Sequence, residues 1–564
     1  LGAPFGQIAL MRESVSLALA GSGGAGVMTA GNMLLEAAAA AGYYGLMTRT
    51  SGPQIRGGEA AAMLRIASFP TDAQDDAFQV LAAIDWQNVA RFAAEIPLGP
   101  DGLLIGDPAH GEPPEVFGRS GARYLAVPLK KLAAEIPGAW PNMIALGVLA
   151  GILGLPATAV EAAAKKSMKK GLEAGIAALR VGMAQALDAE FHLIRATPRP
   201  ARWLISGNEA AGYGALRGGV RFVAAYPITP ATELLEYLAP ALTKVGGTLV
   251  QAEDELASIN MILGASYGGV PALTATSGPG LSLMMEALGL GVAAEVPVVV
   301  VDVMRTGPST GIATKTEQGD LNQALYGLHG DAPHIVVAPN SVSDCIAATQ
   351  WAVGLAESLQ VPAIVLSDQY FGQARAIVDV PKKQDFPLKR LISGNPDAYK
   401  RYALTESGVS PMAIPGTAGC TYTADGLEHN ERGTPSSQAL DHLAQMDKRA
   451  RKVSQLDPGD AWASIEGEGE TAVVTFGSCT GPVREALKNR KGVRLVSLRL
   501  LSPAQPDRLK KALAGVKRVL VVEQNHSGQF LRYLRAEYEL PAEVKSLRRP
   551  GPLPFRPAEI AAAL

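Results

Sequence analysis

Residues 271–305 read PALTATSGPGLSLMMEALGLGVAAEVPVVVVDVMR, and this stretch decides the fold class. PALTAT (271–276) is short, uncharged and rich in β-branched and small residues, which predicts a buried strand. Ser277-Gly278-Pro279-Gly280 is a turn. LSLMMEALGLGVAA then predicts a helix. VPVVVVDVM (296–304) is apolar at nearly every position rather than at alternate ones, so it needs cover on both faces, as in a parallel sheet. Strand, turn, helix, buried strand is the signature of an α/β fold.

The alternation continues outward in both directions. Before it come a helical pattern at 207–219, a strand at 221–226 and a helix opened by PITPATELLEYLA. A strand at 247–252 and a helix at 253–269 follow. After it, HIVVAP and VPAIVLSD carry the pattern to 368. Further upstream, Val15–Ala20 is a strand, GSGGAG (21–26) a glycine turn and the next residues a helix. VLAAID (80–85), GLLIGD (102–107) and RYLAVPL (123–129) predict more strands, with helices at 141–153 and 157–188. RATPRPAR (195–202) has the composition of a linker. From about 385 to 455 periodicity weakens, ending in a basic helical run, DKRARKV. AVVTFG, RLVSLRLLSP and RVLVVEQ restore it. The expected organisation is several parallel-sheet α/β domains at 1–195, 202–385 and 456–564, with an irregular connecting segment at 386–455.

Composition excludes several function classes. Of 564 residues 48% are hydrophobic and 18% charged, which is incompatible with a disordered chain. The formal net charge of −2 offers no basic footprint for nucleic acid. The longest apolar stretch, Leu288–Met304, is broken by Glu295, Pro297 and Asp302, so no membrane span is expected. Cys345, Cys420 and Cys479 are scattered and form no CxxC pair, so this chain alone builds neither a structural zinc site nor a four-cysteine cluster. Without a disulfide framework or a signal-peptide pattern, a cytoplasmic location is expected.

Several motifs point to chemistry. In GSGGAG, Gly23, Gly24, Ala25 and Gly26 would let backbone N–H groups approach a diphosphate at a helix N-terminus. An NAD site would need an acid about 20 residues on. That region holds Arg49 and Arg56 instead, which suits the extra phosphate of NADP or coenzyme A; a ligand-free tight turn is the plain alternative. In YPITP, Tyr226, Pro227 and Ile228 leave a strand, Thr229 stands where an N-cap belongs and Pro230 where the first helical residue belongs. That is either simple capping or a carboxylate site. Glu255, beside Glu253 and Asp254, opens an apolar helix and precedes TSGPG by 21 residues. Arg305 ends a buried strand, where a guanidinium can grip a carboxylate bidentately, with hydroxyls at Thr306, Ser309 and Thr310 nearby. GPSTG and GASYG also match the GxSxG pattern, but Ser266 falls inside a predicted helix and Ser309 lacks a convincing helix after it.

A glutamate after one strand and TSGPG after the next resemble the half of a thiamine-diphosphate site that holds the aminopyrimidine. In such enzymes the carboxyl shares a proton with the aminopyrimidine ring, which places Glu255 in that role. The diphosphate–magnesium motif, GDG with a later asparagine pair, is missing: GDLNQ (319–323) and GDAPH (330–334) lack the second glycine.

Taken with GNEA, YPITPATE, EDELAS, MRTGPSTGIATKTEQGDL and VVEQNHSGQFLRYLR, these motifs resemble the 2-oxoacid:ferredoxin oxidoreductases over nearly the whole chain. The chain looks like their alpha subunit with a gamma domain fused at its N-terminus. The resemblance implies oxidative decarboxylation of a 2-oxoacid to an acyl-CoA, and the fusion points to 2-oxoglutarate or a broad range of 2-oxoacids. Electrons pass to ferredoxin, and the reaction can run in reverse to fix carbon dioxide. The resemblance also implies that Tyr226, Pro227, Ile228 and Glu255 meet thiamine diphosphate. Thr229, Arg305, Ser309 and Thr310 would line the oxoacid pocket, with Glu255, Arg305 and Thr229 catalytic. Gly23, Gly24, Ala25, Gly26, Arg49 and Arg56 would serve coenzyme A in the gamma-type domain, and residues 456–564 would form a transketolase C-terminal-like domain. A beta subunit would carry Mg2+ and a 4Fe-4S cluster, in an (alpha-beta)2 assembly. Pyruvate or branched 2-oxoacids remain alternative substrates, and an NADP-linked oxidoreductase or a non-catalytic assembly subunit alternative classes.

Overall fold

A computed structural model describes residues 11–52, 58–185, 191–194, 196, 201–312, 314–382, 386, 389–392, 395–397, 399–541 and 543–564. In chain order the strands are β1 (Ser14–Ser22), β2 (Tyr44–Ser51), β3 (Glu59–Ala67), β4 (Phe78–Ala83), β5 (Leu98–Gly106), β6 (Arg123–Ala126), β7 (Arg202–Ser206), β8 (Phe222–Ala225), β9 (Thr248–Gln251) and β10 (Ala272–Thr276). They continue with β11 (Val299–Met304), β12 (Ile335–Val337), β13 (Ala363–Asp368), β14 (Arg375–Asp379), β15 (Ala463–Glu466), β16 (Thr471–Phe476), β17 (Val493–Leu498), β18 (Leu500–Ser502), β19 (Arg518–Glu523) and β20 (Glu543–Arg548).

The chain divides into two compact units. The first comprises Leu1–Ile205, Ala374–Lys382 and Arg556–Ala558. Its sheet runs β6-β5-β4-β1-β3-β2-β14-β7. The half from β6 to β1 is parallel, but β1–β3, β3–β2 and β2–β14 pair antiparallel. The connection from β2 to β3 is too short for a crossover, so β3 must return antiparallel. One face is covered by the helices Val27–Ala40, Pro141–Ile152, Ala157–Ser167 and Leu172–Ala184, around Leu17, Leu34, Leu64 and Ile144. The other face buries Phe78, Leu81, Phe92 and Phe117. The helix expected at 157–188 is two helices, divided before Leu172 by Gly171 in the left-handed region. Residues 374–382, read from sequence as part of the second domain, supply β14 to this sheet.

The second unit comprises Ser206–Gln373, Lys383–Phe555 and Glu559–Leu564. Its seven-stranded sheet runs β18-β12-β13-β11-β10-β8-β9 and is parallel from β12 to β9. Strands β10 and β11 are buried at every position, as their apolar composition requires. The five-stranded sheet, β15-β17-β16-β19-β20, is parallel except for β15. The two sheets are joined by β18, which pairs antiparallel with β12. The described residues between 386 and 438 form no strand longer than a single bridge, and the helix Ala439–Ser454 follows. That basic helix is not a solvated face: Lys448 and Lys452 are fully buried.

Candidate active site

The four motifs of the second unit meet because of strand order. YPITP follows β8, Glu255 follows β9 at the head of the next helix, TSGPG follows β10, and Arg305 follows β11. In the sheet these strands lie in the order β11-β10-β8-β9, parallel, so all four motifs emerge at one carboxyl edge. Open α/β sheets bind ligands at that edge.

Of the three acids around Glu255, only Glu255 is buried, at 8% exposure. Asp254 is a helix cap, since its carboxylate accepts from the Ala257 backbone N–H at 2.7 Å at the head of the helix Glu255–Tyr267. The Glu255 side chain packs against the TSGPG turn. A Cβ on Gly280 would stand 2.8 Å from Glu255 Oε1 and 2.0 Å from Thr276 Oγ1. Gly280 is therefore the space the carboxyl needs, and a larger residue there would displace it.

YPITP differs from its sequence reading in one respect. The helix runs from Thr232 to Thr243 with Ala231 as N-cap, so Thr229 is not the cap. A turn intervenes, with the N–H groups of Ala231 and Thr232 both donating to the Ile228 carbonyl. Thr229 is exposed at the edge, and its carbonyl accepts from Arg305 Nη1 at 2.6 Å. Arg305 thus ties β11 to β8 across β10. Asn208, from GNEA, fixes the turn from behind, its amide donating to the Pro230 carbonyl at 2.8 Å. Tyr226 is 41% exposed. The loop after Arg305 is closed by Thr306, whose hydroxyl donates to the Ile312 carbonyl and accepts its N–H. Ser309 and Thr310 lie exposed on this loop. No helix follows Ser309, and Ser266 sits inside a helix donating to the Pro297 carbonyl. Neither serine is a nucleophile elbow.

Beside Arg305 opens a cleft of about 600 Å³ whose wall includes Gly278, Ser309, Glu317, Asp320 and His526. Asp320 belongs to the GDLNQ segment, which the sequence offered only as a failed metal motif. Behind it Asp302, inside β11, is fully buried and neither of its carboxylate oxygens has a partner. Burial, with Asp320 adding repulsion, pushes Asp302 well above the usual aspartate range. Burial and Glu317 raise Asp320 while Arg305 opposes them, leaving it at about 6. Among the described residues no group of three or more His, Cys, Asp or Glu stands together as a metal site. The three cysteines are buried and free.

In the first unit the glycine loop joins β1 to the helix Val27–Ala40, with Gly26 as its left-handed N-cap. Gly24 faces open space. Asp85, just after β4, accepts from the Ser22 N–H at 3.0 Å and from its hydroxyl at 2.7 Å. One of the loop's donors is thus held by a carboxylate of the protein. Because β3 separates β1 from β2, this segment does not form the adjacent parallel pair of a dinucleotide fold. Arg49 is exposed on β2, and Arg56 lies outside the described residues. No sequence signal marks Asp85, which stands 63 residues from its partner.

Comparison with known proteins decides the family. Residues 213–448 match a family model described as pyruvate flavodoxin/ferredoxin oxidoreductase, thiamine diP-binding, and residues 16–185 match pyruvate ferredoxin/flavodoxin oxidoreductase. The 2-oxoacid:ferredoxin oxidoreductase 2, subunit alpha, of Aeropyrum pernix is 31% identical over 98% of this chain and 97% of its own length. The chain belongs to the 2-oxoacid:ferredoxin oxidoreductases, as an alpha subunit. A solved 2-oxoglutarate:ferredoxin oxidoreductase from Magnetococcus marinus, with 2-oxoglutarate, coenzyme A and succinyl-CoA bound, is 35% identical. It superposes with a TM-score of 0.91 over 98% of this chain and 99% of that one. The 2-oxoglutarate synthase subunit KorA of Methanothermobacter marburgensis is 34% identical, over 64% of this chain and 97% of itself. The alpha subunit described here is therefore an oxidoreductase component with an α/β thiamine-type domain. No helix among its described residues is long and apolar enough to cross a membrane.

Proposed function

We propose that this alpha subunit catalyses the coenzyme A-dependent oxidative decarboxylation of 2-oxoglutarate. Succinyl-CoA and carbon dioxide are the products and ferredoxin takes the electrons; the reaction is reversible. The observation that carries this reading is the single carboxyl edge at which Glu255, YPITP, TSGPG and Arg305 emerge, with Arg305 bonded to the Thr229 carbonyl.

The chemistry of Glu255 suits the aminopyrimidine end of thiamine diphosphate: it is a buried carboxyl at the carboxyl edge of the sheet, seated against a glycine whose Cβ would collide with it. Glu255 holds and exchanges the proton at the aminopyrimidine ring, and Tyr226, Pro227 and Ile228 border it. When bound, thiamine diphosphate supplies the nucleophilic carbon and the electron sink for decarboxylation. Arg305 receives the oxoacid carboxylate, positioned by its bond to Thr229, while Ser309 and Thr310 face the substrate's side. The glycine loop of the first unit, with Arg49 and Arg56, binds coenzyme A phosphates. A beta subunit brings the site for the diphosphate and Mg2+, and a 4Fe-4S cluster, in an (alpha-beta)2 assembly. The 2-oxoglutarate-bound relative of 35% identity supports that substrate over pyruvate.

The test is anaerobic purification of the tagged chain from its own cells, followed by viologen reduction with each component omitted in turn. The reading predicts a second, cysteine-bearing chain and activity that needs both 2-oxoglutarate and coenzyme A. Activity that ignores coenzyme A, or requires NADPH, would overturn it.

A further inference from the structure

Asp320 and Arg305 line the same cleft, yet no ion pair joins them. Both have shielded polar atoms without a partner: Oδ2 of Asp320 and Nε of Arg305. The Asp320 carboxyl lies against Gly278, where a Cβ would stand 2.7 Å from each of its oxygens, so only a glycine there admits it. Beside it Asp302, fully buried with neither carboxylate oxygen partnered, is itself pushed well above the usual aspartate range by burial and by Asp320. The titratable groups facing Asp320 are Asp302 from β11, Arg305 just after it and Glu317 from the preceding loop; His526, after β19, faces Glu317 in turn.

We propose that Asp320 is a protonation-controlled counter-charge to Arg305: neutral, it leaves the guanidinium free for a substrate carboxylate, and ionised, it competes with that carboxylate. This rests on the reading that Arg305 receives the oxoacid. Asp320 is a positioning residue, acting through Arg305. Its placement in the cleft wall, against Gly278 and near Glu317, holds the proton on Asp320 up to about pH 6, because burial and Glu317 outweigh the opposing pull of Arg305. By linkage, an oxoacid bound at Arg305 must also raise the proton affinity of Asp320.

Two measurements test this. In the assembled enzyme, KM for 2-oxoglutarate should rise about tenfold per unit of pH-linked competition as the pH climbs through 6, with kcat far less affected. Asp320→Asn should flatten that KM profile and keep KM low at alkaline pH. A profile unchanged by Asp320→Asn in an active enzyme would overturn the inference and leave the proposed function standing. The second measurement needs no turnover. Infrared pH-difference spectra of the purified full chain should show a protonated-carboxyl band that disappears through about pH 6. Buried Asp368 also titrates at about 6, so Asp320→Asn should remove one of two components of the band, and in Arg305→Gln, where the opposing cation is gone, that component alone should persist to higher pH. A band that ignores Arg305→Gln, or no band at all, would contradict the inference whatever the enzyme's activity.

Discussion

Among single residues, the site depends on close approach. Gly280→Ala places a methyl group against Glu255 and Thr276, and overpacking of this kind costs about 1–3 kcal/mol. Activity should fall more than stability does if the displaced group carries the proposed proton; kcat measured beside thermal unfolding separates the two. Arg305→Lys keeps the charge and loses the planar fork. A charge-assisted bond is worth about 1.5–3 kcal/mol, so KM for the oxoacid should rise roughly 10–100-fold. These residues were legible because each stands at a strand-to-turn junction that Gly, Pro and apolar runs mark locally. Asp320 was not, since nothing in GDLNQ indicates that a strand aspartate 18 residues earlier shares its surroundings. Nor was Thr229's true position: capping chemistry reads the same whether the helix starts at Pro230 or two residues on.

Among the elements, the irregular segment is held by buried charge rather than by a sheet. Glu295, with φ 53°, receives Lys448 at 2.7 Å and Lys452 at 2.8 Å, and its backbone carbonyl accepts from Arg401 at 2.8 Å. All four residues are fully buried. Burial alone would raise the Glu295 carboxyl, but the two lysines and Arg401 pull it far below the usual range. Glu295→Gln leaves three buried cations without an anion and should destabilise the chain by about 3–5 kcal/mol, read as a lowered denaturant midpoint. Nearby, burial raises Glu428 but Arg449 and His442 outweigh it, bringing it to about 2. A depressed carboxyl stabilises fully above its unfolded pKa of about 4.3 and loses that contribution as pH falls towards 2. Glu428→Gln should therefore reduce the acid sensitivity of unfolding between those limits. DKRARKV was legible as a helix; its burial was not, because the partner carboxylate is 157 residues away.

Across the whole molecule, the second unit joins two sheets through a polar seam. Gln318 donates to the Phe476 carbonyl at 2.9 Å and accepts from the Gln524 N–H at 2.9 Å, while Asn340 donates to the Ser497 carbonyl at 3.2 Å. With β18 paired to β12, the seam makes residues 456–555 part of the thiamine-type body. Gln318→Leu strands two buried backbone groups and should cost about 1–3 kcal/mol in full-chain denaturation. The alternation of strands and helices made the α/β class readable on both sides of the irregular segment. The return of β14 to the first unit's sheet and of β18 to the second's was hidden, since strand order across such distances leaves no local trace in sequence.

The proposed chemistry rests above all on Glu255 as the proton-handling carboxyl of a shared thiamine site. The decisive measurement is the turnover of Glu255→Gln, purified in the assembled complex and assayed for coenzyme A-dependent viologen reduction with 2-oxoglutarate. Assembly should be unchanged and kcat should drop by at least about 100-fold, the low end for removing acid–base assistance. Retention of wild-type turnover would contradict that role.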